Sequence, residues 1–212
     1  TLAGLASSHW RAGQWQRARV LFQQATDIFE RVGEKAQIVY LYAAVKHCML
    51  EHWLAHSAEA SRVCTKARAL TAASLGQESE LFGDIESAEL DGALESGNLP
   101  AAHEAYVRAK ALYPPTVANR LRHGRLQSSY AEWLMRQSRW EEARKLLPAA
   151  ISDISMRPHK IPLLLAQARL LSACDESSGP ECSLDLRGNY EATLAAVADL
   201  DHQHAQRAVL DV

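Results

Sequence analysis

The sequence predicts an all-α fold, a set of antiparallel helix hairpins repeated about five times. Three observations carry this reading. Apolar residues recur with helical period along most of the 212 residues, and no segment sustains strand alternation. A short template of small and large residues recurs at near-constant spacing. Glycine and proline fall between the periodic segments, where helices stop.

The template is clearest in ESGNLPAAHEAYVRAKALYPP, where Gly97, Leu99, Ala102, Tyr106 and Ala109 set the steps. GQWQRARVLFQQA repeats them with Gly13, Trp15, Ala18, Phe22 and Ala25. SRWEEARKLLPAA repeats them with Ser138, Trp140, Ala143, Leu147 and Ala150. SAEASRVCTKA is a weaker copy, with Ala60, Cys64 and Ala67. GNYEATLAAVADL is the weakest, with Gly188, Tyr190, Thr193 and Val197. The first small residue falls at 18, 60, 102, 143 and 193, in steps of 42, 42, 41 and 50. Small, large, small at i, i+4 and i+7 share one helix face. The alanines let a neighbouring helix approach, and the large residue fills the gap. Each template is therefore expected to be the second helix of a hairpin, entered through a tight turn. Gly13 and Gly97 suit positive φ at that turn, and Pro100 suits a first helical turn.

The first helices lie upstream. Residues 37–54 carry Ile38, Leu41, Val45, Cys48 and Met49 at helical spacing. Residues 77–95 carry Leu81, Ile85, Ala88 and Leu94, and residues 117–136 carry Leu121, Leu126, Tyr130 and Leu134. Residues 161–174 carry Leu164, Leu165, Ala168 and Leu171. Breaks at Gly33, Gly76, Pro114–Pro115 and Pro158 divide the chain into units at 1–33, 34–76, 77–115, 116–158 and 159–212, the last with an insertion at 175–187. About ten helices in one repeat domain, 1–212, are expected. Both ends fall inside patterned segments, so the chain reads as part of a longer protein.

This pattern, G-x-[large]-x-x-A-x-x-x-[aromatic]-x-x-A closing on proline, resembles the tetratricopeptide repeat. The spacing is longer than usual for that repeat, and is similar to kinesin light chains, MalT-like bacterial regulators and scaffold subunits of large complexes. The resemblance implies a right-handed superhelical solenoid with a concave face lined by first helices. It implies a non-catalytic protein–protein interaction scaffold that binds a peptide segment or a partner subunit. The alternative is a ligand- or peptide-sensing segment of a signalling or transcription regulator, with flanking domains on its own chain. Glu89 departs from the repeat, standing where an apolar residue is expected.

Composition excludes other classes. With 48% hydrophobic and 23% charged residues the chain can bury a core. A net charge of −2 argues against general nucleic-acid binding. No apolar run reaches membrane-spanning length and no signal peptide opens the chain. A cytoplasmic location, or a nuclear one in a eukaryote, is expected. Among the cysteines, Cys48 and Cys64 are expected to pack as small apolar residues, and Cys174 and Cys182 to be reduced thiols. No CxxC, HExxH, GxSxG, P-loop or GxGxxG occurs, so no enzyme activity, cofactor or metal is expected. The one metal-like spacing is the pair His52 and His56, one helical turn apart, with His47 on a different face.

Charge supplies the candidate site. Residues 77–95 hold seven acids and no base: Glu78, Glu80, Asp84, Glu86, Glu89, Asp91 and Glu95. The next first helix begins with Arg120, Arg122, His123 and Arg125. In stacked hairpins these helices are neighbours, so one reading is a set of solvated ion pairs. The other is a groove with an acidic and a basic half, lined by Asp84, Ser87, Asp91, Arg122, Arg125, Ser128 and Glu132 and binding a charged peptide. Of the tryptophans, Trp15 and Trp140 are expected in the core through the repeat. Trp10, Trp53 and Trp133 are candidate anchors if exposed.

Overall fold

The computed structural model describes residues 1–32, 37–114 and 116–153, with the single positions 191 and 195. All regular structure among them is helical, with no strand. The helices are α1 (Leu2–Arg11), α2 (Trp15–Val32), α3 (Gln37–Trp53), α4 (Ser57–Leu75), α5 (Glu80–Glu95), α6 (Leu99–Leu112), α7 (Arg120–Met135) and α8 (Trp140–Asp153). A 3-10 turn at Val117–Asn119 leads into α7. The expected helix at 161–174 and the weakest template lie outside the described residues.

The chain divides into two compact units, Thr1–Pro114 and Pro115–Val212. In the first, α1–α2, α3–α4 and α5–α6 form three hairpins. The first helix α3 packs on both α1 and α5, and α2 and α4 each pack on the first helix that follows them. In the second unit, α7 and α8 form one hairpin.

Local chemistry sets the helix starts. Thr1 Oγ1 accepts from the Gly4 amide at 3.2 Å, Ser79 Oγ from the Leu81 amide at 3.2 Å, and Asn98 Oδ1 from the Ala101 amide at 3.2 Å. These caps satisfy amides that a helix start leaves open. Ser79 explains why α5 begins at Glu80 rather than near Gln77.

The four turns between paired helices are one structure repeated. Gly13, Ala55, Gly97 and Ser138 all have positive φ, between 58° and 74°. Each amide donates to the carbonyl three residues back: Gly13 to Trp10, Ala55 to His52, Gly97 to Leu94, Ser138 to Met135. Each following amide donates five residues back: Gln14 to His9, His56 to Glu51, Asn98 to Ala93, Arg139 to Leu134. This is the Schellman pattern of helix C-termini. The left-handed residues fall at 13, 55, 97 and 138, in steps of 42, 42 and 41.

The template residues are the core. Ala18, Phe22 and Ala25, Ala60, Cys64 and Ala67, Ala102, Tyr106 and Ala109, and Ala143, Leu147 and Ala150 are all buried. Trp15 is covered by Trp53 of α3, their rings 6.3 Å apart. Trp140 differs from expectation, at 37% exposed; no following first helix is among the described residues. Cys48 and Cys64 are core residues, as expected, but they are joined in a disulfide that ties α3 to α4. The bond closes a sequence separation of 16, which chain-entropy arguments value at about 3 kcal/mol.

Candidate functional site

The first helices carry buried charge. Glu51, near the end of α3, is fully buried. Arg19 of α2 donates Nε–H to its Oε1 at 2.7 Å. His47, one turn back, lies 3.0 Å from Oε1 through Nε2, and His56 lies 2.8 Å from Oε2 through Nδ1. A carboxylate only accepts, so these are the ring nitrogens that carry protons. Burial pushes the Glu51 carboxyl up, but the hydrogen bonds from His47, His56 and Arg19 outweigh it and bring the pKa to about 2. A group held ionised so firmly is a poor general base near neutral pH.

On α5, Glu86 is buried between two arginines. Arg68 of α4 contacts Oε1, and Arg108 of α6 donates to Oε2 at 2.8 Å. Asp84 is also buried, and it accepts from the Tyr113 hydroxyl at 3.0 Å, with Lys46 Nζ at 3.7 Å. Glu89 is half-exposed, and Arg68 Nη2 lies 3.7 Å away. Asp84, Glu86 and Glu89 thus meet cations from α3, α4 and α6, and Glu86 is a buried clamp rather than a solvated pair.

The residues proposed for the groove fall on two helices. Asp84 and Ser87 are buried and Asp91 half-buried on α5 of the first unit. Arg125 and Ser128 are buried and Arg122 and Glu132 half-buried on α7 of the second. Arg122 donates to Asn119 Oδ1 at 2.9 Å, and Arg136 donates to Glu132 at 2.6 Å. Trp10 and Trp133 are buried, so they offer no exposed anchor. Sequence reasoning passed over Val39 and Tyr42. They lie three residues apart on α3, and both are about half exposed.

The histidine pair separates. Helix α3 ends at Trp53, and the left-handed Ala55 turns the chain before His56. His56 therefore turns to Glu51. His52 lies instead with Cys48 and Cys64, and one donor atom from each falls within 4.8 Å of the others. All three residues are buried. Burial lowers the pKa of the His52 imidazole, against the opposing pull of Glu89 and Asp91. Cys48 and His52 are four apart on one helix, a signal the sequence held but which a search for CxxC spacing does not find.

No protein-family model matches this chain, and no match was found among curated proteins or solved structures. Among the described residues, no helix is long and apolar enough to cross a membrane.

Proposed function

We propose that the chain is a non-catalytic interaction scaffold of the tetratricopeptide type, whose first helices take a peptide segment or a partner subunit. The observation that supports this best is the repetition of one turn geometry, with the same two hydrogen bonds, at steps of 42, 42 and 41. Repetition of one hairpin builds surface rather than a catalytic pocket. The half-exposed Tyr42 and Asp91 supply an aromatic contact and a charge on neighbouring first helices of the first unit. Capture from a lysate of the source organism tests the reading. A Tyr42→Ala, Asp91→Ala variant is expected to recover the wild-type partner at least tenfold less well, about 1.4 kcal/mol, with an unchanged melting temperature. Equal recovery would refute this surface.

The Cys48, His52 and Cys64 cluster favours a second reading, a sensing segment of a regulator. A helix-turn-helix or nucleotide-binding domain elsewhere in the full-length protein would support it; further repeats would support the scaffold.

A further inference from the structure

The disulfide between Cys48 and Cys64 leaves His52 unexplained. The ring is 8% exposed, and its Nε2 is buried without a hydrogen-bond partner. Gly92 of α5 makes the space for it, since a Cβ there would overlap ring atoms Cε1 and Nδ1. Cys48 and His52 project from one face of α3, four residues apart, and Cys64 comes from the facing helix α4. A seat cleared for an imidazole with a spare nitrogen, beside two sulfurs, is a soft donor set.

We propose that Cys48, Cys64 and His52 form a two-state site, a disulfide in the oxidised chain and a Cys2His zinc site in the reduced chain. A dithiol reductant adds two electrons and two protons across the sulfur–sulfur bond. It leaves as a disulfide, and the two cysteines become thiols. Zn2+ then displaces both thiol protons, and a neutral imidazole lone pair takes the third position. Zinc–sulfur bonds of about 2.3 Å and zinc–nitrogen bonds of about 2.0 Å put the donors roughly 3.5–3.8 Å apart. The three donor atoms already lie within 4.8 Å of one another, so binding requires mainly that the sulfurs separate. Two thiolates cancel the charge of Zn2+, which suits a buried site, whereas Cu+ would leave a net negative charge there. A water completes the tetrahedron. The two states are mutually exclusive, because the same sulfur electron pairs serve both. The site sits where α3, α4 and α5 meet through Gly92, so a change of state acts on their packing. This inference stands apart from the scaffold reading.

The test uses the whole chain with Cys174→Ser and Cys182→Ser, reduced with a phosphine under argon and titrated with Zn2+ against a chromophoric chelator. One Zn2+ per reduced chain is expected, and none in the oxidised chain. Co2+ in its place should give a thiolate-to-metal charge-transfer band. His52→Gln and Gly92→Ala should each weaken Zn2+ binding at least tenfold while the disulfide still forms in the oxidised variants. If the reduced chain loses helical circular dichroism, Zn2+ should restore it. No uptake by the reduced chain, equal affinity in His52→Gln, or no restoration of lost helix would each overturn the site. Uptake of Cu+ with refusal of Zn2+ would overturn the choice of ion.

Discussion

Replacing Glu51 with glutamine keeps the volume of a fully buried side chain and removes its charge. Its carboxyl is held at about 2, against an ordinary value of 4.5. At 1.36 kcal/mol per pH unit, that gap corresponds to on the order of 3 kcal/mol of folding stability at neutral pH. The sign follows from the direction. A depressed folded-state pKa gives stability that is fully present above the unfolded value, near 4.5, and is lost as the pH falls towards about 2. At pH 3 the same two values leave roughly 1.4 kcal/mol. Urea unfolding of wild type and Glu51→Gln at pH 7 and pH 3 measures both differences, and the comparison of variants cancels the other carboxylates. The variant is expected to be less stable by about 3 kcal/mol at pH 7 and by about half as much at pH 3. A difference that stays constant between the two pH values, or one below about 1 kcal/mol at pH 7, would show that the three donors do not hold the carboxylate as described.

The turns give a matched pair: Ala55→Gly should stabilise by about 0.5–1 kcal/mol and Gly97→Ala should destabilise by about 1 kcal/mol, since both positions have positive φ. Thermal melts should show shifts of about 2–4 °C per kcal/mol in opposite directions, and shifts of the same sign would refute the common geometry. Ala102→Arg should cost on the order of 3 kcal/mol or more, because a fully buried alanine would become a buried charge. Ala101→Arg, one position round the helix and half-exposed, should be mild, and equal melting temperatures would refute the register. Gly83→Ala within α5 should destabilise despite a helix-propensity gain of about 1 kcal/mol, because its Cβ would lie 2.5 Å from the ring of buried Tyr113. A rise in melting temperature would mean that the ring moves aside freely.

The apolar half of the fold was legible because it follows a period. Ala18, Ala60, Ala102 and Ala143 are all fully buried on second helices, as the spacing required. The same spacing located the turns at Gly13, Gly97 and Ser138, whereas Ala55 occupies an equivalent turn that the weaker copy, without a glycine, did not mark. The positive φ of Ala55 and Ser138 is imposed by the helices on either side. Charge was less legible. The run of acids in residues 77–95 was visible, yet Asp84 and Glu86 meet Lys46 of α3, Arg68 of α4, Arg108 of α6 and Tyr113 just after α6. Nothing in one chain's composition weighs three-dimensional distance, so these partners could not be read from the sequence. The histidine pair is divided for a local reason. The one-turn spacing of His52 and His56 assumes a continuous helix, and α3 stops between them.

Those buried charges also bear on how a repetitive core keeps its register. Small, large, small at the same steps in each hairpin makes the apolar faces nearly interchangeable, so apolar packing alone penalises a slipped hairpin weakly. The carboxylates are not interchangeable. Glu51 takes Arg19 from the helix before its own hairpin, whereas Glu86 takes Arg68 from the preceding hairpin and Arg108 from its own. A hairpin docked one repeat out of place would take Arg19 from Glu51 and Arg68 from Glu86, leaving each buried acid short of the cation that the preceding helix supplies. The pairs therefore also disfavour the wrong arrangements, and they sit on the helices where the repeat signature is weakest. Glu89, which replaces an expected apolar residue, also lies beside Arg68. The departure from the apolar pattern and the specificity of docking have the same physical origin in the first helices.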